Sequence, residues 1–321
     1  MKILVSGATG FVGRALIDQL IFNQIYEPIA AVRKIQADNF FNCPVMEIGA
    51  LDEIIKSSLF KNNNIDVVVH AAARVHVMKD NSSDPLAEFR RVNVDGALNL
   101  ARQAAQAGVR RFVFMSSIKV NGEFTCLGHP FMADQTPIPS DPYGISKYEA
   151  EMGLRALSRE TGMEVVIIRS PLVYGPGVKA NFLLMMNWLR RGIPLPLGGI
   201  TNNQRSFVFL GNLVDMIITC INNPVAANQT FLVSDDEDLS TAGLLDSMAL
   251  ALGRPSRLIT VPAALITLGA NLLGRPDISQ RLCGSLQVDI QKTKELLSWS
   301  PPVSVHEGLH QTAVDFLKMH S

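Results

Sequence analysis

Apolar and polar positions follow two periods along the first 170 or so residues of the chain. Short runs such as "KILVS", "EPIAAV", "VMEI", "DVVVHAA", "RFVFMSS" and "EVVIIRS" are mostly apolar. Each has the length of a strand. "VVVHAAA" is apolar almost without a break, as a strand covered on both faces requires. Between these runs lie longer stretches with helical spacing, and "PLAEFRRVNVDGALNLARQAAQAG" reads as a single helical segment. Strands alternating with helices through short loops predict an α/β chain with a parallel, doubly wound sheet and right-handed crossovers. Ligands of such sheets bind beyond the carboxyl ends of the strands.

After "SPLVYGPG" the pattern changes. "GIPLPLGGITNNQ", "NNPVAANQ" and "GRPSRL" are rich in Pro, Gly and Asn, and the helical stretches shorten. The expected division is a sheet domain over residues 1–176 and a smaller lobe over residues 177–321, with some lobe elements returning to the sheet. Within the lobe, "LITVPAALITLGANLLG" (258–274) is strongly apolar, but Pro262 and Gly269 interrupt it. It is short for a bilayer span and reads as a buried or partly exposed helix. No integral membrane segment is expected.

Composition narrows the functional classes. A hydrophobic content of 47% over 321 residues supplies a sizeable core. The formal net charge is zero, so there is no basic field to attract nucleic acid. Cys43, Cys126, Cys220 and Cys283 are scattered without metal-ligand or disulfide spacing, which suits a reducing compartment. "MKILVSG" runs straight into a strand without a signal-peptide pattern. The expected location is the cytoplasm, and no metal is expected.

Candidate chemistry begins at the first turn. Gly7, Gly10 and Gly13 follow a strand and open the helix "FVGRALIDQL". Backbone amides at that helix start, around Phe11 and Val12, suit a pyrophosphate, and glycines let it approach closely. A dinucleotide fold usually carries Asp or Glu about 20 residues later to hold a ribose 2′-hydroxyl. Arg33 stands there instead, followed by Lys34. A guanidinium prefers a 2′-phosphate, so NADP(H) is favoured over NAD(H). Further on, "DPYGISKYEAE" places Asp141 as an N-cap, with Tyr143 and Lys147 four apart on one helix face. A lysine beside a phenol lowers its pKa from about 10. "FMSSIKVNG" ends a strand with Ser116 and Ser117, whose hydroxyls can bond a substrate oxygen.

"GATGFVG", "HAAA", "NVDGALNL", "SSIKVNG", "PYGISK", "RSPLVYGPG" and "RSFVFLGNLVD" occur in this order. With them the chain resembles the extended short-chain dehydrogenases/reductases, in the nucleotide-sugar epimerase/dehydratase branch, over nearly its whole length. The resemblance implies a Rossmann-type sheet. It implies Tyr143 as acid/base, Lys147 bridging Tyr143 and the nicotinamide ribose, and Ser117 binding the reacting oxygen. Ser117 is chosen because it lies five residues before Gly122, as in the family's "SSAAVYG". Ala71, Ala72, Asn93 and Ser116 are placed along the cofactor. Asn181, in "VKANFLL", and Arg205, in "NNQRSFVFLGNLVD", are placed at the nucleotide and diphosphate of a UDP-sugar. Arg74 or His76 could reach the pocket. Two departures stand out. Asn121 replaces a family tyrosine, which would alter the pocket wall. Gly49-Ala50-Leu51 replaces Gly-Asp-Leu, which removes an adenine contact.

Arg33 tilts the expected activity toward a reductase that exchanges its dinucleotide at every turnover. The leading expectation is reduction of the 4-keto group of a UDP-4-keto-6-deoxy-hexose. The product would be UDP-N-acetylquinovosamine, for bacterial surface polysaccharide (O-antigen). The alternative is a UDP-hexose 4-epimerase with tightly held NAD. A non-catalytic dinucleotide-sensing regulator ranks lower, because Tyr143 and Lys147 are intact. A 4,6-dehydratase ranks lower too, because "SSI" stands where Thr-Asp-Glu is usual. A homodimer is a further expectation.

Overall fold

The structure is a computed structural model that describes residues 1–35, 41–50, 57–75, 84–272 and 274–320. His76 and Leu51 fall outside these residues. The chain opens with β1 (Lys2–Ser6), α1 (Phe11–Phe22), β2 (Glu27–Val32), β3 (Val45–Glu47), α2 (Ser57–Asn63) and β4 (Val67–His70). There follow α3 (Pro85–Arg90), α4 (Gly96–Gln106), β5 (Arg111–Ser117), α5 (Pro142–Thr161), β6 (Glu164–Ser170) and β7 (Leu172–Tyr174). The later part contributes α6 (Ala180–Arg190), β8 (Arg205–Phe209), α7 (Leu210–Asn222), β9 (Thr230–Leu232), β10 (Asp238–Leu239) and α8 (Thr241–Ala251). It closes with α9 (Ala263–Leu272), α10 (Pro276–Cys283), α11 (Gln291–Leu297) and α12 (Val305–His320).

Seven parallel strands form one sheet in the order β3-β2-β1-β4-β5-β6-β9. This is the doubly wound Rossmann-type sheet that the apolar runs predict. The period of two explains the layering. Ile3, Val5, Val67 and Val69 face one core, under α1 and α7, while Leu4 and Val68 face the other, under α4 and α5. Strand β9 comes from far along the chain and pairs with β6 as Ile167–Thr230, Ile168–Phe231 and Arg169–Leu232. A second sheet, β10-β8-β7, joins β7, from before residue 176, to the lobe, whose own core gathers Phe182, Met186, Phe207, Leu245, Leu309 and Phe316.

The single helical segment expected over residues 85–108 is divided. A π-helical turn, Arg91–Asp95, separates α3 from α4. The turn displaces Asn93 inward, and its bonds give the reason below. Helix α5 begins as expected. The Asp141 carboxylate accepts from the Gly144 amide at 2.6 Å and Pro142 opens the helix. Lys119 holds the same carboxylate. Gly162, at φ 77°, ends the helix. Among the described residues, no helix is long and apolar enough to cross a membrane.

Candidate functional site

The chain leaves β1 at Ser6 and turns at Gly7, whose φ is 74°. The Gly10 amide donates to the Gly7 carbonyl at 2.8 Å and closes the turn. A Cβ on Gly7 would stand 2.6 Å from the Ala72 nitrogen, and one on Gly13 would stand 2.2 Å from the Gly7 oxygen. Gly7 therefore packs directly on the loop after β4, which carries Ala71 and Ala72, and Gly13 lets α1 lie against the turn. No side chain caps α1, and its first turn has no carboxylate. The amides at Phe11, Val12 and Gly13 are thus left for an anion, and the helix dipole adds to the attraction. This arrangement fits the diphosphate of a dinucleotide. A groove of about 940 Å³ runs beside it, bordered by Thr9, Gly10, Phe11, Gly177, Lys179 and Leu210.

Arg33 is exposed immediately after β2, next to Lys34. Strand β2 neighbours β1, so Arg33 shares the carboxyl edge of the sheet with the glycine loop. Asn93 is buried. Its Oδ1 accepts from the Arg74 amide at 2.8 Å, and its Nδ2 donates to the Arg74 carbonyl at 3.0 Å and to Ser146 Oγ at 3.0 Å. The asparagine spends its side chain tying the loop after β4 to α5. The π turn is the device that brings it there. The guanidinium of Arg74 lies over the Phe89 ring, 5.6 Å from its centroid.

Ser117 ends β5, and its hydroxyl accepts from the Lys119 amide at 3.3 Å. Tyr143, in the first turn of α5, hydrogen-bonds to Ser117. Lys147 lies one turn further and is buried. Its ammonium donates to the Met115 carbonyl at 2.8 Å and sits 4.5 Å above the Phe114 ring. The three side chains thus meet at the carboxyl end of β5. Burial pushes the Tyr143 pKa up to about 12; the Ser117 bond opposes this and the Asp141 charge adds to it. Burial likewise brings Lys147 down to about 7, against the pull of Glu151. The sequence led to the opposite sign for Tyr143. The reason is geometric: the ammonium is aimed at a backbone carbonyl, and desolvation of the phenol outweighs its field.

Glu151, a further turn along α5, is a residue the sequence reading missed. It accepts from Ser116 Oγ at 2.6 Å and from Arg169 Nε and Nη2 at 2.9 and 2.6 Å. Arg169 Nη1 donates to Asn121 Oδ1 at 2.9 Å, and Asn121 Nδ2 donates to the Met132 carbonyl at 2.9 Å. The Ser116 hydroxyl is therefore turned into this buried network. Asn121 is 1% exposed and braces the 132 region, where the sequence suggested a pocket wall. The one available signal was its spacing: Glu151 follows Lys147 by four, on the same face of α5. His70 is also buried, with Nδ1 2.7 Å from Ser6 Oγ. Burial, with Lys147 nearby, lowers its pKa to about 3, so it stays neutral.

The two residues expected at the sugar nucleotide lie in the lobe. Asn181 is exposed at the start of α6. Arg205 opens β8, and its Nη1 donates to the Gly284 carbonyl at 3.0 Å. Partial burial lowers its pKa.

Known proteins match this architecture throughout. The NAD dependent epimerase/dehydratase family matches residues 3–234. A "UDP-glucose 4-epimerase" of Vibrio cholerae is 49% identical over 320 residues, which cover 100% of this chain and 97% of that one. The solved UDP-glucose 4-epimerase of Thermotoga maritima, with UDP-glucose, is 25% identical at a TM-score of 0.81, covering 100% of both chains. The UDP-glucuronic acid 4-epimerase of Bacillus cereus, in complex with NAD, has the same fold at a TM-score of 0.79, 20% identity and 100% coverage of both chains.

Proposed function

The chain belongs to the NAD dependent epimerase/dehydratase family, and on that premise we propose that it is an NAD-dependent UDP-hexose 4-epimerase. One observation carries the proposal: 49% identity, over the whole length, to a relative named UDP-glucose 4-epimerase. This reverses the order reached from the sequence. The 4-ketoreductase expectation, with UDP-N-acetylquinovosamine as product, draws no support from the relatives.

In this reading NAD, held by the residues below, would supply the hydride acceptor and donor for inversion at sugar carbon 4. The protein does the rest. The amides at the start of α1 hold the cofactor diphosphate. Ser117 donates to or accepts from the sugar O4, and Tyr143 moves the O4 proton. Burial holds the phenol neutral, so Tyr143 is ready to give a proton to a ketone oxygen. For the reverse half-reaction, positive charge brought beside the phenol would lower its pKa and let Tyr143 accept the O4 proton. Lys147, anchored at Met115, would hold a ribose hydroxyl of the cofactor. Asn93 fixes the wall formed by the loop after β4. Asn181 and Arg205 bind the uridine nucleotide from the lobe, so residues 1–176 serve the cofactor and residues 177–321 serve the substrate.

Arg33 supports a second reading, an NADP(H)-linked reductase of a UDP-4-keto sugar, because its exposed guanidinium suits a 2′-phosphate. One experiment separates the two. Purified protein given UDP-glucose and no added cofactor should form UDP-galactose, and denaturation should release NAD. Stoichiometric NADPH oxidation by a UDP-4-keto sugar, with no epimerisation, would overturn the epimerase in favour of the reductase.

A further inference from the structure

Helix α9 reads AALITLGANL and has no buried residue. A helix this apolar normally buries a face. Here Leu265, Leu268 and Leu272 are 58%, 56% and 80% exposed. Their spacing of three and four puts them on one stripe, while Ile266, Gly269 and Ala270 lie on the partly covered side, where α9 packs on α10. Two neighbouring loops extend the apolar patch. The Ile259 amide donates to the Leu195 carbonyl at 2.8 Å, which brings exposed Ile259 and Ile193 to adjoining chain segments.

Charge around this patch is mostly positive; the carboxylate of Asp246 accepts from Ser256 and is the acid beside it. Between Asp246 and Asp277 the sequence has no Asp or Glu, and Arg254 and Arg257 stand exposed on the loop before α9. Arg257 Nη1 approaches the Gly192 carbonyl at 3.5 Å, which puts it next to the exposed Arg191. The whole chain is neutral, so this is a local cationic surplus. A second copy seated symmetrically on the patch would set arginines against arginines. An anionic lipid surface would neutralise them and accept the leucines. At 1.5 Å per residue, α9 is about 15 Å long, so it can lie in an interface but cannot span one.

We propose that α9 and the loop carrying Arg254 and Arg257 dock the enzyme on an anionic bilayer surface. Leu265, Leu268 and Leu272 enter the headgroup–acyl boundary and the arginines meet lipid phosphates. The proposal is independent of the sugar that the enzyme acts on. Cosedimentation of the full chain with vesicles tests it. Binding is expected to vesicles containing phosphatidylglycerol, to fall with salt, and to be near background on phosphatidylcholine alone. Each arginine contributes about fivefold, so Arg254→Gln with Arg257→Gln should weaken binding about 25-fold. Leu268→Ser with Leu272→Ser should weaken it at least about tenfold. Both variants should keep the wild-type circular dichroism and melting temperature, since neither pair is in a core. Three results would overturn the proposal: no sedimentation with phosphatidylglycerol; equal binding by wild type and variants; or a concentration-dependent dimer, lost in the leucine variant, in a protein that ignores vesicles.

Discussion

Tyr143 and Lys147 owe their character to burial. With its pKa near 12, the phenol is protonated at neutral pH and suits the half-reaction that reduces a ketone. Tyr143→Phe should lower turnover of UDP-glucose by roughly 10²–10⁴ and leave the dinucleotide content of the purified protein unchanged. Turnover close to wild type would remove Tyr143 from the chemistry. Lys147 gives a stability prediction with a definite sign. Its folded pKa is about 7, against an ordinary value of 10.5. Between these values the unfolded chain binds more protons than the folded one, so stability rises with pH across the window. Below pH 7, by contrast, the folded state carries the full cost of a buried charge. Lys147→Met should therefore raise the melting temperature most at pH 6 and least near pH 10. A gain that does not vary with pH would contradict the depressed pKa.

At the scale of elements, the site depends on how closely backbones meet. A methyl at Gly13 has no room beside the Gly7 carbonyl, only 2.2 Å away. Gly13→Ala must push α1 off the turn, at a cost of about 1–3 kcal/mol, the usual range for overpacking. The displaced amides should also lose NAD, which denaturation and cofactor release would measure. On α5, Glu151→Ala leaves Arg169 buried without its carboxylate, and the expected loss is about 3–5 kcal/mol in urea unfolding. A loss under about 1 kcal/mol would mean that water or a rotamer change relieves Arg169. These elements differ in how much of them the sequence made legible. β1 to β6 could be read because each is an apolar run with a helix or loop beside it. β9 is only Thr230–Leu232, and its place depends on pairing with β6, which no local pattern encodes. The π turn likewise exists for what Asn93 bonds, and those partners are far away in sequence. The Tyr–Lys spacing could be read, but the sign of the phenol shift could not. Spacing puts the charges near each other; burial, a tertiary property, decides which effect wins.

For the whole molecule, the proposed division at residue 176 would separate roles in binding, while the cores cross it. One face of the large sheet is covered by α1 together with Leu213, Val214, Met216 and Ile217 of α7, and Phe231 and Trp299 join the same core. The lobe is tied back through Asp235, whose carboxylate accepts from Tyr174 Oη at 2.8 Å, from the Phe209 amide at 2.8 Å and from Asn212 Nδ2 at 2.7 Å. Asn212 in turn pairs with the Val303 backbone through both ends of its amide, at 2.7 and 2.9 Å. A fragment ending at residue 176 would leave half a sheet face bare, so it should bind a hydrophobic dye and lack a cooperative melt. In the full chain the cores should unfold together. The two tryptophans report on them separately, because Trp299 lies in the sheet core and Trp188 packs on the lobe core. Trp188→Phe and Trp299→Phe leave one reporter each. Their urea transitions, followed by fluorescence, should share a midpoint and slope once each is corrected for its own stability change by circular dichroism. If the Trp188 signal changes at clearly lower urea than the circular dichroism of the same variant, the lobe opens by itself, and the Asp235 bridge does not couple it to the sheet.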